Sequence, residues 1–397
     1  MSGPEAARAR AVRRVAGALV AVMLLALGAA APSVAEPSLP EPVLEGPPPA
    51  TWPVPDGVDG EAFVLLEVET GQLLVAHGAE RRRPVASTVK LLTAYAVVTR
   101  VELDELVTVG DEVTGVGGSG VGLEPGDEWT VEELLDALLP RSGNEAAEAL
   151  AVYVGGDRDT FLRMMERDAA AIGIEDLTVT SPSGLDDGTL LSATELARIA
   201  AAVHELDELR PAMARRLVAL PGQPAEQNRN ELIDDYPGAT GMKTGYTSAA
   251  GYSLVGSAER GGRELIAVVL GAEEDPSRFV STATLLDHGF EATRPTQLGT
   301  EVVLSVAGGR LVLTTPEVTI TVPEDSDASL ELRLPIRPPE EALTFPLLVD
   351  GAQLTELTVT LSGRPEPVEA ETARIGRALV DGSYAALRAA TAAGTLS

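Results

Sequence analysis

Pro84-Val85-Ala86-Ser87-Thr88-Val89-Lys90-Leu91-Leu92-Thr93-Ala94-Tyr95 is the stretch on which the reading of this chain turns. A helical segment is predicted from about Ser87 to Arg100, which sets a serine and a lysine three residues apart on one face. The Lys90 amine can then reach the Ser87 hydroxyl, coupling a nucleophile to a base. An unperturbed lysine, with a pKa of about 10.4, is protonated. A position in the first helical turn feels the positive end of the helix dipole, and burial also disfavours the ammonium. Lysine is scarce here: Lys90 and Lys243 are the only two among 30 basic residues. Arginine cannot release its proton, so a chain that uses arginine almost everywhere keeps lysine where arginine fails. Taken alone, Ser-x-x-Lys reads equally as a helix cap followed by a solvated lysine.

Two further segments lie downstream. Ser142-Gly143-Asn144 falls at a predicted loop-to-helix junction and offers a hydroxyl and a side-chain amide; singly, Ser142 reads as a helix cap. Lys243-Thr244-Gly245 heads a strand region, supplying a fixed positive charge, a hydroxyl, and a glycine that lets another backbone approach closely. Each is weak by itself. The three in this order, about 50 and then about 100 residues apart, are far more specific.

The chain has 397 residues, room for two domains and a sizeable core. Its net charge of -30 argues against nucleic acid as a partner and against attraction to anionic lipid headgroups. With no cysteine, disulfides, thiolate nucleophiles and zinc-thiolate sites are excluded. His77, His204 and His288 show no metal-ligand spacing, so neither metal nor cofactor is expected.

Arg8, Arg10, Arg13 and Arg14 precede an apolar run from Val15 to about Ala31, then Ser33-Val34-Ala35. Residues 1–35 read as a secretory signal cleaved after Ala35. The rival is an uncleaved anchor, for which this run is at the short limit; only then would the protein associate with a membrane. Either way the bulk of the chain is expected outside the cytoplasm, secreted or at the cell envelope.

Residues 36–57 are Pro-rich and read as an extended spacer, with folded structure beginning near Glu61. Residues 58–292 carry short strands at Ala62–Val68 and Leu73–Ala76, then helices at Val131–Leu139, Asn144–Gly155, Phe161–Ile172 and Ala193–Leu206. Thr130 with Glu133, and Ser192 with Glu195, are capping-box patterns. Strands at Tyr252–Ala258 and Leu265–Leu270 form a hairpin, and a helix at Phe279–His288 follows. Residues 293–366 change to short alternating strands, a smaller β-rich domain, and residues 367–397 read as a C-terminal helix, about Glu369 to Ala392, or a tail. Its mixed charge favours packing or a loose tail over an interfacial anchor.

The ordered motifs resemble the active-site serine penicillin-binding proteins and β-lactamases. Their surroundings, Ser142-Gly143-Asn144-Glu145-Ala146-Ala147, Gly241-Met242-Lys243-Thr244-Gly245-Tyr246-Thr247, Ser183-Gly184-Leu185-Asp186 and Asn228-Arg229-Asn230, look like the D-alanyl-D-alanine carboxypeptidases among the low-molecular-mass penicillin-binding proteins. The likeness covers about Glu61 to Phe290. It implies an α+β fold, a β-lactamase/DD-peptidase-like domain with an antiparallel sheet flanked by helices, followed by the smaller β-rich domain. Glu145 stands where the family more often has aspartate, and Val89 replaces a usual threonine; both touch substrate fit more than catalysis.

The resemblance further implies that Ser87 attacks the carbonyl between two D-alanines, with Lys90 as general base and an acyl-enzyme as intermediate. Ser142 would relay a proton to the leaving amine, with Lys243 holding the electrostatics, and Asn144 would hydrogen-bond the substrate amide. The backbone amides of Ser87 and Tyr246 would form the oxyanion hole. Thr244 and Arg278 would contact the terminal carboxylate, with Gly245 in the binding strand and Arg229 a neighbour of the site. The partners implied are peptidoglycan stem peptides ending in D-Ala-D-Ala, and β-lactams as covalent inhibitors. A DD-endopeptidase or β-lactamase on the same scaffold, or a non-catalytic wall-binding or penicillin-sensing protein, are the alternatives. Glu226 and Asn230 fit a class A β-lactamase spacing but fall too close to Lys243 to serve that role.

Overall fold

The computed structural model describes residues 52–298 and, beyond them, 301–306, 309–314, 318–326, 328–332, 342–350, 352–362 and 387–390. Strands β1 (Ala62–Glu67) and β2 (Gln72–His77) form a hairpin. After a 3-10 turn at Ala86–Val89 come helices α1 (Lys90–Val98), α2 (Val131–Leu138), α3 (Asn144–Gly155), α4 (Arg158–Ala171) and α5 (Ala193–His204). Strands β3 (Ala239–Thr247), β4 (Gly251–Arg260) and β5 (Arg263–Ala272) follow, and then α6 (Asp275–Ala292). The five strands make one antiparallel sheet in the order β2-β1-β5-β4-β3, which leaves β3 at an edge. The fold class is α+β.

Local chemistry sets the helix starts. The Thr130 hydroxyl accepts from Glu133 N at 3.2 Å while the Glu133 carboxylate accepts from Thr130 N at 2.8 Å, so the first helical turn of α2 is closed from both sides. Ser192 and Glu195 repeat this device at α5. Helix α4 starts three residues before the predicted Phe161 because Asp157 accepts from Thr160 N at 2.8 Å and caps it. Helix α6 is longer than its predicted core at both ends. Its first turn contains Pro276, where the missing N–H costs nothing.

Strand β5 is buried on both faces. Ile266, Val268 and Leu270 join the cluster formed with the helices α1 to α5, while Leu265, Ala267 and Val269 join Leu285 and Leu286 of α6. A strand covered on both sides has no polar face, which is why its sequence is a continuous apolar run.

The C-terminal region is all strand where it is described: β6 (Thr293–Leu298), β7 (Glu301–Val306), β8 (Gly309–Thr314), β9 (Val318–Pro323), β10 (Ala328–Leu332), β11 (Ala342–Val349), β12 (Ala352–Ser362) and β13 (Leu387–Ala390). Strands β6 and β9 pair with each other, and the rest form a sheet of order β7-β8-β12-β11-β10-β13. Ile320, Val322, Leu347 and Val349 enter the same apolar cluster as Phe63 and Leu74. The Gln72 amide donates to Thr321 O at 2.7 Å and accepts from Thr321 N at 3.0 Å, keying β9 to β2.

Two segments differ from their sequence reading. Trp52 lies in the stretch read as spacer, yet it is buried in the cluster that contains Phe63; a large indole gains more by covering apolar surface than by remaining in water. Leu387–Ala390 is a strand paired with Ser329–Leu332, where a helix or tail was expected. The unpaired edge of β10 offers that segment backbone partners which local helical preference does not take into account. The signal segment, most of the spacer and the rest of the C-terminal segment lie outside the described residues. Among those described, no helix is long and apolar enough to cross a membrane.

Candidate active site

Three elements converge at the edge of the sheet: the 3-10 turn leading into α1, the start of α3, and strand β3. Strand β3 packs against the turn, and Gly245 makes this approach possible. A Cβ there would sit 3.0 Å from Val85 O and 3.3 Å from Thr88 N, both backbone atoms that cannot swing aside. Gly184 is placed by similar crowding. Its φ is +73°, and a Cβ would lie 2.0 Å from Ala86 O. The Ser183 carbonyl is thereby pressed against the turn that carries Ser87.

Lys90 is fully buried. Its Nζ lies 2.8 Å from Ser87 Oγ, 2.7 Å from Asn144 Oδ1 and 2.8 Å from Ser183 O. The Asn144 amide is oriented by its Nδ2, which donates to Gly117 O at 2.8 Å, so that its oxygen faces the amine. Asn144 Oδ1 and Ser183 O are pure acceptors. A neutral amine has two N–H bonds, which they absorb, leaving the nitrogen lone pair for the Ser87 hydroxyl proton. Burial, and next the charge of Arg229, lower the Lys90 pKa to about 7, with Glu148 and Glu145 acting in the opposite sense. The amine is therefore largely neutral just above neutrality.

Ser142 is not the helix cap that its sequence setting suggests. Gly143 is the N-cap residue of α3, and Ser142 sits in the left-handed region with φ +61°. For a residue with a Cβ such backbone costs about 1–2 kcal/mol, so the surroundings impose it. The residue itself is buried. Lys243 on β3 is also buried, and its Nζ donates to Thr244 O at 3.0 Å. Burial first, then Lys90, Arg229 and Arg278, push its pKa well below the usual lysine range. An anion beside Lys243 would act in the opposite sense and favour its charged form.

Arg278 comes from α6 and is buried, with Nη1 donating to Gly245 O at 3.1 Å. Its guanidinium lies 5.5 Å from the centre of the Tyr252 ring, and Tyr252 stacks on the exposed Tyr246 at 4.3 Å. Thr244 is buried beside these groups on β3. Arg229 donates from Nη1 to Ser119 Oγ at 2.7 Å, and its charge acts on Lys90, Lys243 and Arg278. Lys90 is joined directly to Ser87 and Asn144, Arg278 to Gly245, and the charges of Lys90, Arg229 and Arg278 all act on Lys243.

Several participants were not assigned roles from sequence. Ser183 lay in a quoted motif without a stated part, and it is its carbonyl, invisible to side-chain reasoning, that receives Lys90. Gly117 and Ser119 belong to a glycine-rich run, Gly115 to Gly122, which signals a loop but not its closure over Asn144. Glu148 stands one helical turn after Asn144, a spacing that could have marked it. Among the described residues, no three His, Cys, Asp or Glu side chains are grouped as metal ligands would be. The chemistry available is a hydroxyl beside an amine whose basicity is lowered, and a strip of cationic and hydroxyl groups along β3.

Known proteins are similar to this chain in sequence and in fold. Residues 50–274 match the sequence profile of the family described as D-alanyl-D-alanine carboxypeptidase. D-alanyl-D-alanine carboxypeptidase DacB2 of Mycobacterium tuberculosis is 35% identical over 268 residues, covering 64% of this chain and 89% of its own length. DacF of Bacillus subtilis, also named a D-alanyl-D-alanine carboxypeptidase, is 29% identical over 328 residues, 76% of this chain and 84% of its own. The crystal structure of penicillin binding protein 6B from Escherichia coli superposes with a TM-score of 0.66 at 29% identity, covering 79% of this chain and 99% of that one.

Proposed function

This chain belongs to the D-alanyl-D-alanine carboxypeptidase family, and from that premise we propose that it removes the terminal D-alanine from peptidoglycan stem peptides outside the cytoplasm and is acylated by β-lactams. The observation that carries this reading is the buried Lys90 Nζ, 2.8 Å from Ser87 Oγ and within hydrogen-bond distance of two acceptors, Asn144 Oδ1 and Ser183 O.

Ser87 Oγ attacks the carbonyl carbon of the penultimate D-alanine while its proton passes to Lys90 Nζ. The oxygen of that carbonyl becomes an oxyanion between the amides of Ser87 and Tyr246, where donors fixed in advance stabilise charge that exists only after attack. Collapse breaks the C–N bond, and the leaving amine takes up, through Ser142, the proton that Lys90 received. An ester on Ser87 remains. Water attacks it, its proton passing to Lys90 Nζ and from there to Ser87 Oγ as the ester bond breaks, and the shortened peptide leaves as a carboxylic acid with Ser87 restored. Asn144 can receive the substrate amide while still orienting Lys90. The terminal carboxylate lies along β3 against Thr244, Lys243 and Arg278, where it makes the Lys243 ammonium favourable again.

The extracytoplasmic setting is supported by the arginine-led apolar segment before Ala35 and by the nature of the substrate. The protein is incubated with a labelled penicillin and, separately, with an acylated peptide ending in D-Ala-D-Ala. A mass increment on the peptide containing Ser87 and release of D-alanine are expected, both lost in Ser87→Ala. Absence of both in the unaltered protein would overturn the proposal.

A further inference from the structure

We propose that Asp275 is an internal competitor for the substrate's terminal carboxylate: its own carboxylate occupies the Arg278 guanidinium in the free enzyme and must be displaced, so this pair sets substrate affinity rather than the rate of acylation. The inference rests on the reading above that Arg278 receives that carboxylate.

Arg278 Nη2 forms an ion pair with Asp275, three residues earlier on α6. The two partners are unequal. Arg278 is buried, whereas the Asp275 side chain is 52% exposed. Arg278 is also held independently of Asp275. Its Nη1 donates to Gly245 O at 3.1 Å and reaches Ser253 O at 3.5 Å, and its guanidinium lies 4.8 Å from the centre of the Phe279 ring. Its Nε is buried without a partner. The guanidinium therefore keeps its place when Asp275 turns away, and the Nη2 that Asp275 held is freed for an arriving anion.

A buried cation needs a compensating charge. In the free enzyme Asp275 supplies it; in the complex the substrate's carboxylate does so in its stead. Displacement is easy because Asp275 moves into water and remains at the N-terminal turn of α6, where the helix dipole favours a negative charge. It is still a cost, and it falls only on ligands that carry a carboxylate. An uncharged analogue with the same backbone has no need to displace Asp275, so the device discriminates by affinity between the two.

Asp275→Asn and Asp275→Ala are made in the full chain, with thermal melts to verify folding. Steady-state hydrolysis of an acylated peptide ending in D-Ala-D-Ala is measured beside inhibition by the same peptide amidated at its C-terminus. In both variants KM for the acid falls about twofold to fivefold, the effect of one half-exposed ion pair, with kcat changed less than KM and the inhibition constant of the amide unchanged. A KM that is unchanged or raised while the unaltered enzyme releases D-alanine overturns the inference alone and makes Asp275 a support for Arg278. An equal gain for acid and amide also overturns it. An unaltered enzyme that neither releases D-alanine nor forms a Ser87 adduct overturns the carboxypeptidase reading, and this inference with it.

Discussion

Acylation of Ser87 should be lost as pH falls through about 7, because the group that must be neutral is Lys90. Its pKa is lowered from 10.5 to about 7, with burial the largest cause. A neutral base acts above its pKa, so activity is present on the alkaline side and disappears on the acid side. At pH 5.5 only about 3% of the amine is neutral, which predicts a second-order acylation rate about thirtyfold below its plateau. Neighbouring charges supply a sign test. Arg229 lowers the Lys90 pKa, and Glu148 raises it. Arg229→Gln should therefore move the acid limb to higher pH and Glu148→Gln should move it to lower pH. Each shift should be about half a unit to one unit, the scale of a unit charge whose action is long-range or partly screened by solvent. The assay is stopped-flow acylation by a fluorescent penicillin from pH 5 to 9. A rate flat across pH 5.5 to 8, or limbs displaced in the same direction by both variants, would refute the assignment of Lys90 as the base.

The other expectations are more compact. Lys90→Arg should lower acylation by about a hundredfold or more at every pH, since a permanent cation has no lone pair to offer; Lys243→Arg should keep partial activity, and near-wild-type rates for both would defeat the distinction. Gly184→Ala should cost about 2–4 kcal/mol in urea denaturation, because it adds left-handed strain to a Cβ placed 2.0 Å from Ala86 O; a loss below 1 kcal/mol would show that the turn can yield. Binding of a carboxylate ligand to Ser87→Ala near neutral pH should draw in a proton, as Lys243 with its lowered pKa regains one. Calorimetry in buffers of different ionisation enthalpy reads this directly, and no buffer dependence would count against it.

The helix caps at Thr130 and Ser192 were legible because both halves of each capping box lie within four residues. The hairpin between β4 and β5 was legible for the same reason: its signal is local. The order of the sheet was not, since nothing in Ala62–Glu67 indicates that it pairs with Arg263–Ala272 across about two hundred residues of chain. The site divides in the same manner. Side chains with spacing, such as Ser87 with Lys90, announce themselves, whereas Ser183 O and Gly117 O act through carbonyls that every residue possesses. Ser142 shows the limit of local signals: taken singly, a serine before a helix is ordinarily a cap, and only the structure, with Gly143 at the cap position and Ser142 in left-handed backbone, removes that alternative.

The two lysines converge in the structure where the sequence set them apart. Lys90 needed a removable proton, which arginine cannot offer; Lys243 needed only a positive charge, which arginine could supply. Burial alters the second case. Lys90, Arg229 and Arg278 already press on Lys243, and a guanidinium there would stay charged whatever stood beside it. A permanent cation would lower the Lys90 pKa further and keep its own uncompensated charge in the free enzyme. An amine can shed its proton when the site is empty of anions and regain it when a carboxylate arrives. On this argument a chain that uses arginine at 28 of its 30 basic positions retains lysine at these two for one property, a proton that can be given up inside the protein.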